Sequence, residues 1–180
     1  MKDPTIATFA PNTFSPEQIQ RHWLSLSGGL ADPFDVALLQ EGQLDWRVKD
    51  QYVALMDKER MVARAGFLIA GVSVGNLRFD AVGIGGVIVA PDRRGLGLAR
   101  TIMIETTRQA AELGPEFGLL FCFEDRAGLY SKLGWHRIRS EVRVDQAVGP
   151  HVMSQLTMWA RLRGDGQFPT GPVRVHSEPF

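Results

Sequence analysis

The residues best suited to chemistry lie in a turn between an apolar, β-branched run and a helix, within residues 87–99. The turn combines a proline, two arginines and two glycines: Pro91, Arg93, Arg94, Gly95 and Gly97. The proline ends the predicted strand, the arginines add positive charge, and the glycines remove side chains. The first N–H groups of the following helix have no acceptor within it. Together these features predict a site for a phosphate or pyrophosphate group.

Two common phosphate-binding motifs do not fit this turn. A Walker loop requires Gly-Lys-Ser/Thr after four spacer residues, and no such triplet follows. A Rossmann fingerprint requires a third small residue, but Arg100 stands at that position. The remaining pattern is Arg94-x-x-Gly97-x-Ala99 after a β-branched strand. A glycine-rich turn with solvated arginines is the alternative interpretation.

Composition and charge limit the class of protein. The chain has 180 residues, 44% of them hydrophobic and 22% charged, which predicts one globular domain over residues 1–180. Twenty basic residues balance twenty acidic ones, so we expect neither nucleic acid nor an anionic membrane as a partner. The apolar runs are too short for a transmembrane span, and residues 1–4 lack a signal-peptide core. We therefore expect a cytoplasmic protein.

The sulfur and imidazole side chains do not indicate a metal site. The single cysteine, Cys122, lies in the apolar run 119–123 and is interpreted as a small core residue rather than a nucleophile. The histidines are scattered without the spacing of metal ligands: His22, His136, His151 and His176. No metal is predicted.

The first part of the chain predicts a strand and two helices. Residues 5–9 alternate as a short strand. Ser15-Pro16-Glu17-Gln18 is a capping box, and the helix that it begins ends at Gly28-Gly29. Asp32-Pro33 begins a second helix, which ends at Gly42.

An antiparallel meander follows. Its predicted strands cover residues 52–56, 61–74 and 77–89, joined by a charged turn at 57–60 and by Gly75-Asn76. The third strand contains Gly83, Gly85 and Gly86, each of which weakens it. Glycines in a strand mark either a backbone that lies close to a ligand or a simple bend.

The remaining elements place a helix between two strands. The pattern predicts a helix over 95–113 with one buried face, formed by Ala99, Ile102, Thr106, Ala110 and Leu113. The next strand, 118–123, should run parallel to 77–89, because a helix connects the two.

The final third of the chain predicts a short helix and two closing strands. The helix begins at Glu124-Asp125-Arg126 and ends at Gly134. Residues 136–144 and 153–162 alternate as two antiparallel strands, whose edges are suited to pairing in a homodimer. From Arg163 onward we expect an extended, loop-like tail packed on the body.

Two motifs in order resemble the GCN5-related N-acetyltransferase (GNAT) family. The turn pattern described above is similar to the family's pyrophosphate-binding signature. Leu129-Tyr130-Ser131-Lys132-Leu133-Gly134-Trp135 resembles its (F/L)-Y-x-x-x-G-(F/W) stretch. The element order βααβββαβαββ is also that of the family and covers nearly the whole chain. The resemblance implies an α/β (α+β) fold with a mixed, mostly antiparallel sheet of six to seven strands and about four helices.

The resemblance also implies a co-substrate, acetyl-CoA, and positions that contact it. The main chain of Val87, Ile88 and Val89 would bind the pantetheine arm, with the glycine-rich strand splayed against the thioester. The turn would hold the pyrophosphate through Arg93, Arg94, Gly95, Leu96, Gly97, Leu98 and Ala99. Tyr130 would lie beside the sulfur.

These assignments agree with the chemistry of acetyl transfer. Attack of an amine on a thioester creates an oxyanion, which a fixed backbone donor stabilises. The leaving thiolate needs a proton, and a tyrosine hydroxyl, with a reference pKa of about 10, is protonated at neutral pH. Tyr130 is therefore the candidate general acid, and an aromatic packing role is the alternative.

The amine must lose a proton before attack, and the residue that accepts it is not evident. Many members of the family carry Glu or Asp where this chain has Gly83, Gly85 and Gly86. The candidates are Glu124 and Asp125 after the 118–123 strand, or Glu41 and Asp45 after the second helix. Each of these carboxylates could equally be a solvated surface charge.

The acceptor is predicted from a weaker resemblance to aminoglycoside 2′-N-acetyltransferases, including those for kasugamycin-like sugars. The tail departs from those enzymes, which end in an acidic, tryptophan-containing segment. A polycationic amino sugar needs carboxylates and flat aromatic rings, here Asp32, Asp35, Glu41, Asp45, Trp46, Glu124, Asp125 and Glu178. The alternatives are another small amine, a peptide or protein amine, or a module that binds acyl-CoA without catalysis.

Overall fold

A single mixed sheet dominates the computed structural model, which describes residues 4–13 and 44–180. The two helices predicted before residue 43 lie outside the described residues. The strands are β1 (Thr5–Phe9), β2 (Gln51–Asp57), β3 (Arg60–Val74), β4 (Leu77–Val89), β5 (Phe117–Cys122), β6 (His136–Arg137), β7 (Val142–Val144), β8 (His151–Val152), β9 (Leu156–Arg161) and β10 (Val173–Val175). The α-helices in the described part are α1 (Leu98–Ala111) and α2 (Ala127–Ser131).

The fold class is confirmed, with more strands than expected. Eight of the ten described strands follow the order β6-β9-β5-β4-β3-β10-β7-β8, and β2 joins β1 to the first half of β3. Only the β4–β5 and β10–β7 pairs are parallel among the described strands, so the sheet is mostly antiparallel. We predicted six to seven strands because β8 and β10, with two and three residues, are too short to show alternation.

The meander of β2, β3 and β4 forms as predicted, with bounds within one residue. Its strands pair in antiparallel register, with Gly66 opposite Gly85 and Arg64 opposite Ile88. Between these pairs β4 holds one extra residue, which makes a bulge at Gly86. Gly86 has a φ of +64°, a conformation that favours glycine.

The strands β4 and β5 pair over a short stretch and then separate. Their parallel ladder covers only Ala81–Gly83 opposite Phe117–Leu119. Beyond it, β4 continues along β3 to Val89 and β5 continues along β9 to Cys122. The predicted parallel arrangement is confirmed, and a V-shaped gap opens between the carboxyl ends of the two strands.

Helix α1 is shorter than the predicted 95–113. Gly95 and Gly97 both have a φ of +77°, outside the helical region, so the helix begins only at Leu98. At its other end the N–H of Glu112 bonds the carbonyls of Gln109 and Ala110, which closes the last turn. The buried face contains the predicted Ile102, Thr106 and Ala110 together with Met103, whereas Leu113 is exposed.

The two helices cover one face of the sheet, here called the helix face. Val82, Ile84 and Leu120 pack there against Ile102 and Met103. The opposite face carries a second cluster, in which Leu68, Leu119 and Phe121 pack against Phe180. Aromatic rings line its border: Trp46, Phe79, Trp159 and Phe168. Each face of the central strands is therefore buried, as their dense apolar runs require.

The closing region differs from the prediction. Residues 136–144 form two separate strands, because β6 pairs with β9 at one edge of the sheet while β7 pairs with β8 and β10 near the other. The strand predicted over 153–162 is β9, Leu156–Arg161. The predicted loop-like tail contains β10, which inserts between β3 and β7. Among the described helices, none is long and apolar enough to cross a membrane.

Candidate active site

A cavity of about 330 Å³ occupies the gap between β4 and β5. The end of β4, the following turn, the end of β5 and α2 contribute its lining: Ile84–Val89, Arg93–Gly95, Gly97–Arg100, Leu120–Cys122, Arg126, Leu129 and Tyr130. Every residue predicted to contact the coenzyme lines this cavity except Leu96, which is exposed outside it. The volume lies within the range of small-molecule sites in proteins.

The backbone of the turn after β4 is open toward the cavity. Gly95 and Gly97 adopt left-handed conformations, and a Cβ added to either would have no other atom within 4 Å. Helix α1 begins directly after them, at Leu98, so its first N–H groups lie next to that open space. A positive helix end without neighbouring side chains is suited to a phosphate group.

The two arginines of the turn have different partners. Arg93 Nη2 donates to Asp57 Oδ2 at 2.6 Å, and both side chains are less than one-third exposed. Arg60 donates two hydrogen bonds to Asp92, at 2.6 and 2.8 Å. These ion pairs fasten the turn to the β2–β3 hairpin. Arg94 Nε instead donates to the carbonyl of Val89 at 3.3 Å, which places its guanidinium at the cavity wall.

Among the described strands, the last residues of β4 pair on one side only. Ile88 and Val89 are opposite Arg64 and Ala63 of β3, whereas no described strand pairs with the side toward β5 after Gly83. Backbone groups on that side face the cavity at Val87, Ile88 and Val89. An extended ligand could therefore bond the main chain there as an added strand would.

Tyr130 lies at the floor of the cavity on α2. Its side chain is 7% exposed and packs in the helix-face cluster. Burial, with a smaller contribution from the nearby Cys122 thiol, raises the pKa of the Tyr130 hydroxyl above its usual value. The hydroxyl is therefore protonated throughout the physiological range. Gly134, with a φ of +84°, ends this segment as predicted and directs Trp135 into the core.

Cys122 borders the same cavity but is buried, as expected of a core residue. Its Sγ contacts Met158 Sδ at 3.8 Å. Burial raises the pKa of its thiol to about 11, so the thiolate that a nucleophile requires is scarce at neutral pH. Within the described residues, no three His, Cys, Asp or Glu side chains are grouped to hold a metal ion.

The predicted carboxylates within the described part of the chain do not line the cavity. Glu124 pairs with Arg137 at 3.1 Å and Asp125 with Arg126 at 3.3 Å, and all four side chains are largely exposed. Neither acid lines the cavity. Asp45 is exposed, with its backbone bonded to Gln146, and Glu178 is half-buried. The remaining predicted acids lie outside the described residues: Asp32, Asp35 and Glu41.

Aromatic rings cover the gap between β4 and β5 from the opposite face of the sheet. Phe121 lines the cavity and contacts Trp46 edge-on, with ring centroids 6.5 Å apart. The ring of Phe180 is 4.9 Å from that of Phe121. Trp46 was predicted to bind the acceptor, whereas the position of Phe180 follows from β10, which the sequence did not predict.

Lys49 is the charged residue that sequence analysis missed. It is 7% exposed and lies on the opposite face beside Gly85, a residue that lines the cavity. Nothing adjacent to Lys49 in the sequence marks it as buried. The burial of Lys49 is indicated only by two glycines far from it in the sequence, Gly66 and Gly85, which lie opposite each other in the β3–β4 ladder.

The chain was compared with known families and structures. A family model described as an acetyltransferase (GNAT) domain matches residues 35–138. No curated protein sequence matches the chain. The GNAT family N-acetyltransferase YhbS from Escherichia coli, solved with CoA, superposes with a TM-score of 0.61 at 21% identity, covering 97% of this chain and 90% of that one.

Two further solved structures share the fold. A GNAT family acetyltransferase from Brucella melitensis, in complex with acetyl-CoA, has a TM-score of 0.56 at 16% identity, with 96% of each chain covered. An aminoglycoside 6′-N-acetyltransferase complexed with coenzyme A has a TM-score of 0.56 at 14% identity, covering 91% of this chain and 99% of that chain.

Proposed function

Because the chain belongs to the GNAT acetyltransferase family, we propose that the cavity between β4 and β5 binds acetyl-CoA and presents its acetyl group to a small primary amine. The protein is an acetyl-CoA-dependent N-acetyltransferase by family. The main support for placing the site here is the gap between the parallel strands β4 and β5, because this gap leads to the open glycine turn.

The turn supplies the anion site of the proposed complex. Backbone N–H groups from Gly95 to Ala99 would bond the pyrophosphate, and the guanidinium of Arg94 would add charge at the cavity wall. A side chain at Gly95 or Gly97 would fill this space, since nothing else occupies it. Arg93 contributes mainly by holding the turn against Asp57.

The chemical step uses groups on both strands. An N–H at the end of β4, within Val87–Val89, would stabilise the oxyanion that forms when the amine attacks the thioester. As the C–S bond breaks, the Tyr130 hydroxyl would donate a proton to the departing thiolate. The raised pKa of Tyr130 supports this role, because the hydroxyl carries its proton at neutral pH.

For the acceptor, we propose an amino sugar of the aminoglycoside type as the first class to test. Trp46 beside Phe121 supplies the flat aromatic surface that such a ring needs. Glu124 and Asp125 contribute less support, since both are exposed and paired with arginines. Other small amines and peptide amines are the competing acceptors.

A turnover screen tests the proposal. Purified protein is incubated with acetyl-CoA and panels of amino sugars, small metabolite amines and peptides, and released thiol is measured together with the product mass. We expect thiol release together with a mass gain of about 42 Da on one amine class, because an acetyl group replaces one hydrogen. Binding of acetyl-CoA without turnover on any panel would favour a non-catalytic module, and turnover on metabolites or peptides alone would overturn the amino-sugar assignment.

A further inference from the structure

The side chain of Lys49 lies in a groove made by two glycines on neighbouring strands. Gly66 of β3 and Gly85 of β4 are direct partners in the antiparallel ladder. A Cβ built on Gly66 would lie 2.7 Å from Lys49 Cγ, and a Cβ built on Gly85 would lie 3.2 Å from Lys49 Cε. The aliphatic part of the Lys49 side chain therefore passes over Gly66 of β3 and then over Gly85 of β4. A side chain at either glycine would collide with it.

The amine of Lys49 has little compensation for its burial. Its Nζ donates to the carbonyl of Arg47 at 3.3 Å, and no carboxylate within the described residues forms an ion pair with it. Within the described residues, the ionisable groups around it are Arg47 on its own segment, ion-paired with Asp50, Arg64 on β3, Tyr52 on β2, and the terminal carboxyl group of Phe180, which lies against Gly85. A buried ammonium beside two guanidinium groups and without an ion-pair partner among the described residues is unfavourable, so the environment favours the neutral amine.

This environment lowers the pKa of Lys49 to about 8. Burial is the largest cause, followed by the charges of Arg64 and Arg47. A substantial fraction of the side chain is therefore neutral near physiological pH, unlike an ordinary surface lysine. Lysines brought into this range can act as general bases.

The Cε of Lys49 lies beside a residue that lines the cavity. Gly85, which its Cε approaches, also lines the cavity between β4 and β5. The terminal carboxyl group of Phe180 approaches Gly85 on the same face, and the Phe180 ring packs against Phe121 at the cavity. Gly85 is one of the three β4 glycines at which many members of the family carry an acidic residue. Because Gly85 has no side chain, Lys49 occupies the space that a side chain would take.

We propose that Lys49 accepts the proton that the acceptor ammonium loses before it attacks the thioester. The inference rests on the proposed function. The acceptor R–NH₃⁺ transfers one proton to the lone pair of Lys49 Nζ, directly or through one water, and the resulting amine forms the N–C bond. The C–S bond breaks, the thiolate takes a proton from Tyr130, and Tyr130 regains one from the amide nitrogen. Lys49 then releases its proton to solvent.

The test compares substitutions that separate proton acceptance from charge. Lys49→Met keeps an unbranched stem without an amine, and Lys49→Arg keeps a positive charge that cannot lose its proton. Lys58→Met, on the exposed β2–β3 turn, is the matched control. We expect kcat/KM at pH 7 to fall about 100-fold in both Lys49 variants, with the rise in rate near pH 8 lost and the Kd for acetyl-CoA unchanged. Full activity and an unchanged pH profile in Lys49→Arg would overturn the proposal.

A second measurement does not depend on turnover. In protein labelled with ¹³C at the lysine ε-carbon, the Lys49 signal is assigned by its absence from Lys49→Met, and its shift is followed against pH. A midpoint near 8 supports the inference, and a midpoint above 10 contradicts it whether or not an acceptor is known. If the wild-type protein acetylates no amine, the proposed function fails, and this titration still decides whether Lys49 is available as a base.

Discussion

Phe180 packs its ring directly against the backbone of Gly83, so that a Cβ added to Gly83 would lie 2.6 Å from three of its ring carbons. Phe180 is 3% exposed and packs in the core cluster on this face of the sheet. Gly83→Ala should therefore lower the free energy of unfolding by about 2 kcal/mol through overpacking. Chemical denaturation of the two proteins measures the difference.

The control for this substitution is Gly128→Ala in α2. A Cβ there meets nothing within 4 Å. The substitution should therefore raise the free energy of unfolding by a few tenths of a kcal/mol up to about 1 kcal/mol. In a Phe180→Ala background the cost of Gly83→Ala should shrink, because its collision partner is gone. An equal cost in both backgrounds would show that Phe180 is not the reason for the glycine.

The ion pair between Arg93 and Asp57 should stabilise the turn after β4. The two groups are 2.6 Å apart and their side chains are 21% and 31% exposed. A double-mutant cycle with alanine at both positions should give a coupling energy of about 1 kcal/mol. The exposed Arg108–Glu112 pair on α1 is the comparison and should show a smaller coupling energy, because solvent screens it. Equal coupling in the two cycles would contradict a fastening role for Arg93.

Local patterns were sufficient to predict the elements that frame the site. Alternation and turn residues identify β2, β3 and β4 within one residue, and the helix between β4 and β5 fixes their parallel direction. The glycines of the turn after β4 could be recognised because the open backbone there depends on those residues themselves. The start of α1 was predicted too early, since nothing in the local sequence shows that Gly95 and Gly97 have positive φ.

The parts that were missed depend on distant partners. Val142–Val144 and Val173–Val175 are three residues each and become strands because they pair with each other and with β8 and β3. Glu124 and Asp125 follow β5 as predicted, yet nearby arginines hold them at the surface. Lys49 is buried because Gly66 and Gly85, distant in sequence, meet in one ladder. The spacing of residues along the sequence does not show which distant residues pack together in the fold.

Tyr130→Phe should reduce the rate of transfer while leaving coenzyme binding intact. Loss of the hydroxyl removes the proposed proton donor but keeps the ring in the helix-face cluster, so kcat should fall about 100-fold with the Kd for acetyl-CoA unchanged. Because the pKa of Tyr130 is raised, the wild-type rate should show no decline from tyrosine ionisation below pH 10. A rate equal to wild type would assign Tyr130 to packing alone.

Cys122 should be unreactive in the folded protein. Its thiol is buried and its pKa is raised to about 11, so at pH 8 a disulfide reagent should modify it at least about 100 times more slowly than in urea-unfolded protein. Cys122→Ala should keep measurable transfer activity. Rapid labelling of the native protein, or complete loss of transfer in a folded Cys122→Ala variant, would instead indicate a chemical role.

Lys49→Met should make the protein more stable at neutral pH, and the gain should disappear in alkali. In the folded state the pKa of Lys49 is lowered from 10.5 to about 8. Below pH 8 the folded protein must hold the charge in a buried site. Between pH 8 and 10.5 the unfolded state binds more protons than the folded state, so the stability of wild type rises with pH.

This lowering of the Lys49 pKa corresponds to a loss of about 3 kcal/mol in the free energy of unfolding when the amine is charged. Lys49→Met should therefore exceed wild type by an amount of that order at pH 7 and by little at pH 10.5, when the free energy of unfolding is measured by urea denaturation. The exposed Lys58→Met should track wild type at both pH values. A constant difference between wild type and Lys49→Met across this range would mean that the Lys49 ammonium is compensated in the folded protein. The methionine would then act through packing alone, and the amine could not supply the base.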